Sequence, residues 1–291
     1  MKKLVYFLSA SLILLGCQEE EPTKQVDVEV IDDAASDEDL KNEVVYAIPS
    51  PNEQFDLLQN LGGEVNTLFV HDLARLDDYS STKSIALNFG IYSADAAYMM
   101  RFNQGKSVFM NYVSGLDKLG GKLGISQVYG QDLLTTIEEA QDDADLLYDI
   151  SSDNYLKVYD KMLENEKSAE LALILAGGWI ETMHILFSTA GDFDNDFEIQ
   201  ESITEQRYVL ENLYAFISAY EDNEDVKSVL GMLQQFLDSF ETLDCQSSEL
   251  EIQKEEGQAM VLFGGDSCLF TAESYNGMKS LVQETRNTII D

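Results

Sequence analysis

The stretch Leu171–Phe187, LALILAGGWIETMHILF, is the most apolar run in the body of the chain, and its reading decides the fold. Gly177-Gly178 interrupt it, and Glu181 and His184 sit within it. A membrane span needs roughly 20 uninterrupted apolar residues, so the run reads as a helix inside a water-facing bundle. Outward from it, the body reads as repeated amphipathic helices separated by short Gly, Asn or Asp breaks. The periodicity predicts helices over 65–78, 82–103, 105–123, 130–150, 153–187, 202–221 and 225–242, with a break inside 153–187 near Asn165. An earlier helix starts at Ser50-Pro51-Asn52-Glu53, a cap, a first-turn proline and a capping-box acid. It carries Phe55, Leu58 and Leu61 on one face and stops at Gly62-Gly63.

The β-signal comes near the end, where Ala259–Phe263 and Cys268–Phe270 flank Gly264-Gly265-Asp266 as a hairpin. Thr271 then caps a last helix running through Tyr275, Met278, Leu281, Val282 and Ile289. The expected fold class is mostly α, a multi-helix bundle with a small C-terminal β-hairpin. No fixed repeat period runs through the body. Gly90-Ile91-Tyr92-Ser93-Ala94-Asp95 and Gly178-Trp179-Ile180-Glu181 echo each other as glycine, bulky residue and acid, a pattern that similar helix packing produces without duplication.

The N-terminus has a different logic. Met1–Lys3 are basic, Leu4–Leu15 apolar, and Leu14-Leu15-Gly16-Cys17 forms a lipobox. The apolar run is about half the length that a span requires. In these residues the chain resembles a bacterial lipoprotein, which implies cleavage before Cys17 and acylation of its sulfur. The implied organisation is a signal peptide over 1–16, a lipidated cysteine and acidic disordered tether over 17–43, and one helical domain over 44–291, opening with the short extended piece Val44–Ala47. Two or more acyl chains such as palmitate give a stable anchor where one is marginal. As a coil the tether would span roughly 30 Å.

Gln18-Glu19-Glu20-Glu21 is similar to the acidic surface-export signal of Bacteroidota lipoproteins, implying an outer-membrane anchor with a periplasmic or surface-exposed body. From Tyr46 onward the chain also resembles mostly helical lipoproteins of that phylum. The resemblance rests on Tyr46-Ala47-Ile48-Pro49-Ser50-Pro51, Gly90–Asp95 and the hairpin followed by a helix ending Glu284-Thr285-Arg286-Asn287. It implies the fold and transfers no activity.

Composition bounds the partners. There are 54 Asp and Glu against 18 Lys and Arg, a formal net charge of −36, and loss of Lys2 and Lys3 with a leader makes it more negative still. Such a surface repels phosphate and anionic lipid, so nucleic acid is excluded as a partner and membrane attachment falls to the lipid on Cys17. Of three cysteines, Cys245 and Cys268 are left, either as a disulfide worth about 3 kcal/mol or as buried thiols.

Chemistry-bearing residues are few. Asp95 and Glu181 lie in apolar helical stretches, and buried acids need partners. Arg101 or Lys106 would serve Asp95 if turned inward, and Glu181 and His184, three apart, share a helix face. Together with Tyr92, Trp179, Tyr98 and Met183 they define a candidate polar site in the helical core, set against a satisfied structural network. Glu181-Thr182-Met183-His184 has the Glu-x-x-His spacing of di-iron bundles, but His71 has no glutamate three residues before it, so the second motif is missing. Asp192–Asp196 fails the EF-hand register, with Phe197 and Ile203 where glycine and glutamate belong, and reads as a solvated loop. Asp142, Asp143 and Asp145 read as a helix surface. No metal or cofactor is expected.

There is no Gly-x-Ser-x-Gly elbow, phosphate loop or dinucleotide fingerprint. The expectation is a non-enzymatic, lipid-anchored helical module that binds or supports a partner in the cell envelope. The alternative is a small-ligand receptor or sensor using Asp95, Glu181, His184, Tyr92 and Trp179.

Overall fold

A computed structural model describes residues 51–60, 64–193, 197–253 and 261–291. The lipobox with Cys17, the tether, the piece at Val44–Ala47, the Ser50 cap, the Gly62-Gly63 stop and Asp194–Asp196 lie outside the described residues.

The architecture is a helical bundle with a two-stranded antiparallel sheet near its C-terminus, as the periodicity predicts. In chain order the helices are α1 (Pro51–Asn60), α2 (Thr82–Arg101), α3 (Lys106–Leu123), α4 (Gln131–Ala140), α5 (Ala144–Glu164), α6 (Ser168–Ala190), α7 (Phe197–Ser218) and α8 (Glu224–Phe240). The strands β1 (Asp244–Gln253) and β2 (Val261–Leu269) then lead into α9 (Ala272–Ile290).

Helices α2 and α6 form the centre. Every residue of α2 from Ile85 to Met100 is buried except Ser93, and every residue of α6 from Leu171 to Phe187 except His184. α1, α3 and α5 pack on α2, α7 and α8 pack on α6, and α9 touches both. A Cβ on Gly90 would lie 2.0 Å from the Ile174 carbonyl oxygen, and one on Gly177 would lie 2.0 Å from the Leu87 carbonyl oxygen. Backbone therefore meets backbone reciprocally, an approach that only glycine permits.

The two glycines expected to interrupt α6 are thus its crossing point, and the helix is continuous for 23 residues. By length and composition it is a helix that could cross a membrane, yet 89% of its apolar window is buried in the protein. α2 and α6 run in the same direction through the crossing, since Asp95 and Glu181, each later in its helix than the crossing glycine, are neighbours. The echo seen in the sequence is this packing: each acid lies about one turn beyond its glycine, at the same end of the crossing.

Other expectations are corrected. The helix placed at 65–78 is an irregular segment with a short 3₁₀ turn at Leu73–Asp77, because its polar backbone groups bond to core side chains instead of to one another. The single helix placed at 130–150 is two, divided at Gln141–Asp143. The acids there are not a bland helix surface. Asp143 caps α5 by accepting from the Leu146 N–H at 3.1 Å, and Asp142 accepts from the Lys106 N–H at 3.1 Å. The break near Asn165 falls at Asn165–Lys167, with Glu166 in the left-handed region.

The sheet is longer than the hairpin read from sequence. Gly264-Gly265-Asp266 lies inside β2, with Gly265 opposite Ser248 and Asp266 opposite Ser247, so it is not the turn. Cys245 and Cys268 are directly opposite and disulfide-bonded. Thr271 caps α9 in a reciprocal capping box with Ser274.

Candidate functional site

At the end of the α2–α6 crossing the two buried acids meet. Asp95 and Glu181 both have 0% exposure, and their carboxyls are neighbours, close enough for Glu181 to raise the pKa of Asp95. Glu181 also receives a two-pronged salt bridge from Arg286 of α9, Nε to Oε2 at 2.5 Å and Nη2 to Oε1 at 2.7 Å. Asp95 accepts from the His71 backbone N–H at 2.9 Å, and its Oδ1 meets no donor. Two neighbouring buried carboxylates, of which one is paired with a guanidinium, cannot both be charged cheaply in a water-free setting. Burial, then the neighbouring Glu181, hold the Asp95 carboxyl well above the usual carboxylate range. The proton therefore sits on Asp95, while Glu181 is the carboxylate paired with Arg286. Burial works against the Arg286 charge, and the bond to Glu181 more than offsets it.

These groups hold the irregular segment 64–81 against the bundle. The Tyr98 hydroxyl accepts from the Asn66 N–H at 2.9 Å, and the Tyr92 hydroxyl donates to the Asp72 carbonyl at 2.9 Å. His184 Nε2 lies 3.2 Å from the Phe69 carbonyl, toward which Arg286 also points at 3.5 Å. Within the segment, His71 stacks on Tyr92 at 5.1 Å and its Nε2 lies 2.6 Å from the Tyr79 hydroxyl. Burial first, then Arg286, lower the His71 pKa to about 4, and burial also lowers that of His184. Both imidazoles are neutral at neutral pH.

The structure thus brings together Asp95, Glu181, His184 and Tyr92 and leaves Trp179 out. That indole points the other way, edge to face with Phe236 of α8 at 5.2 Å, its Nε1 without a partner among the described residues. Arg101 and Lys106 do not serve Asp95: Arg101 pairs with Asp56 and Lys106 with Glu138. Reasoning from sequence missed Arg286 and His71. Arg286 was within reach, because it lies four residues after Val282 and three before Ile289, on the apolar face of α9, where a cation announces a buried acid. His71 acts on Asp95 through its backbone, which no residue pattern reveals.

Chemically this cluster is closed. Neither carboxyl is exposed to solvent, and apart from Asp95 Oδ1 the polar groups bond to one another and to segment 64–81. Among the described residues no group of three or more His, Cys, Asp or Glu is placed to hold a metal ion. What is open lies just outside it. A depression of about 460 Å³ is floored by His71 and Tyr112 and bounded by Asp72, Leu73 and Leu68 of the segment and by Met99 and Val108 of α2 and α3. Leu68 projects at its rim with 87% of its surface exposed. Tyr112 links the two places: it lines the depression, and burial, then the Asp95 and Glu181 carboxyls, push its pKa up. In comparisons with known proteins the chain matches no family model, no curated protein and no solved structure.

Proposed function

We propose that the protein is a lipid-anchored, non-enzymatic helical module of the cell envelope that binds a partner through segment 64–81 and the depression beside it. The observation that carries this reading is how the buried polar groups are used. Tyr98, His184, Asp95 and Tyr92 each bond to a main-chain atom of the segment, so a loop that would otherwise be mobile is fixed on a rigid helical pair. Loops positioned by a rigid scaffold are where binding residues concentrate. The segment presents Leu68, far more exposed than the other large apolar side chains among the described residues, beside an open depression. The closed acid pair supports a holding role over catalysis. The lipobox at Cys17 and the acidic stretch after it support attachment to the outer membrane, with the body presented at a distance from the bilayer.

Two measurements test the reading in cells that make the protein. Labelled palmitate is expected in the wild-type protein and not in Cys17→Ser. A photo-crosslinking amino acid at position 68 is expected to give a discrete adduct, absent when the same group stands at position 156, where Leu156 is 55% exposed on α5. Equal crosslinking at both positions, or at neither, would refute the assignment of the face.

A further inference from the structure

From the chemistry of the depression we infer that it is a binding site for a small amphipathic organic cation, an alkylammonium with an apolar stem. This rests on the reading of segment 64–81 as the working face and names what that face accepts. The walls supply the apolar part: Val70, Leu73, Met99 and Val108 line the depression, and methionine with aliphatic neighbours adapts to a flexible chain. Tyr112 and Asp72 supply the polar part. Tyr112 lines the depression while only 3% exposed, and its hydroxyl, which can both donate and accept, has no hydrogen-bond partner among the described residues. Asp72 caps the 3₁₀ turn with Oδ1, accepting from Ala74 N–H at 2.8 Å, and it is otherwise exposed at the rim.

The sign of the charge follows from the whole lining. It contains an acid and no lysine or arginine. His71 on the floor is neutral, with its Nε2 turned to Tyr79. The nearby cations are already paired, Arg75 with Asp78 and Asp291 and Arg286 with Glu181. The chain as a whole carries a formal net charge of −36. An anion would meet no cation in the lining and would be repelled by Asp72, whereas a cation is attracted to it. An ammonium group brings a positive charge to the Asp72 carboxylate and N–H donors for it and for the Tyr112 hydroxyl oxygen.

The experiment is titration of the full-length protein in detergent with n-hexylammonium, followed by NMR of methionine methyl groups and by calorimetry. n-Hexanol and n-hexanoate serve as neutral and anionic probes of the same stem. The expected result is saturable binding of the ammonium with a shifted Met99 signal, at least about threefold tighter than hexanol, and no binding of hexanoate. Asp72→Asn keeps the cap and removes the charge, and Tyr112→Phe removes the acceptor. Each should weaken hexylammonium about threefold to fivefold, the range of an exposed ion pair, whereas Asp132→Asn, an exposed acid on α4, should change nothing. Equal affinity for all three probes would overturn the cation while keeping the depression as a site. Equal losses in Asp72→Asn and Asp132→Asn would overturn it as diffuse attraction to an acidic protein. No binding together with a crosslink at position 68 would overturn this inference alone, and no binding without that crosslink would overturn the face as well.

Discussion

One chemical change, carboxyl to amide, should have opposite consequences at the two halves of the buried pair. Glu181→Gln removes the carboxylate that receives both prongs of Arg286 and leaves a guanidinium in the core without its counter-charge. Breaking a buried pair in this way costs about 3–5 kcal/mol. Asp95→Asn instead replaces a protonated acid by its near-isostere. The amide oxygen still accepts from the His71 N–H and the amide nitrogen brings a donor to the neighbourhood of Glu181, so the change at pH 5 should stay within about 1 kcal/mol. The pH dependence then carries a sign. Asp95 keeps its proton in the fold, while the unfolded chain releases it above roughly pH 4, so the wild type loses stability as pH rises from there toward the raised folded value. Asparagine has no proton to lose, so Asp95→Asn should gain on the wild type between pH 5 and pH 8. Urea unfolding at the two pH values measures this, with Trp179, the one tryptophan and a buried one, as the fluorescent reporter. Equal losses in the two variants, or an Asp95→Asn deficit that widens with pH, would refute the placement of the proton.

The helix crossing makes a comparison among neighbouring glycines. Gly90→Ala and Gly177→Ala drive a Cβ into a carbonyl oxygen and should each cost about 3 kcal/mol or more, while Gly178→Ala meets nothing nearer than 3.5 Å and should be neutral or stabilising by up to about 1 kcal/mol in thermal unfolding. His71 has its pKa lowered to about 4 in the fold, so its contribution is complete above pH 6.5 and is lost as pH falls toward 4, by no more than about 3 kcal/mol. In an Asp95→Asn background, His71→Phe should remove that part of the acid-side slope in denaturant midpoints, and an unchanged slope would argue against the neutral imidazole. Replacing Cys245 and Cys268 together by serine opens a loop with a sequence separation of 23 and should cost up to about 3 kcal/mol, read as a lowered Tm that reductant reproduces in the wild type.

How much could be read in advance differs by the physics involved. Helix type follows from apolar spacing, and so α2, α3, α6, α8 and α9 lie close to where the periodicity puts them. Segment 65–78 has apolar residues at helical spacing, yet its backbone is claimed by side chains from helices far off in sequence, and no local pattern reports such a claim. The glycine pair in α6 was read through propensity, which counts glycine as a cost, whereas the contact with Leu87 turns it into a requirement. Strand β1, Asp244–Gln253, has no apolar run to announce it and is held by its pairing with β2. The acid pair was visible because charge is rare in apolar helices, but its partner cation sat about a hundred residues away.

Segment 64–81 is gripped mostly by its amide and carbonyl groups, at Asn66, Phe69, His71 and Asp72. Such a grip does not read side chains. Thr67 and Leu68 can be exchanged for other residues while the path of the chain is kept, which separates the inheritance of shape from the inheritance of specificity. Descendants of this bundle can therefore diversify what they recognise at a few exposed letters, with the crossing of α2 and α6 and the proton on Asp95 left untouched.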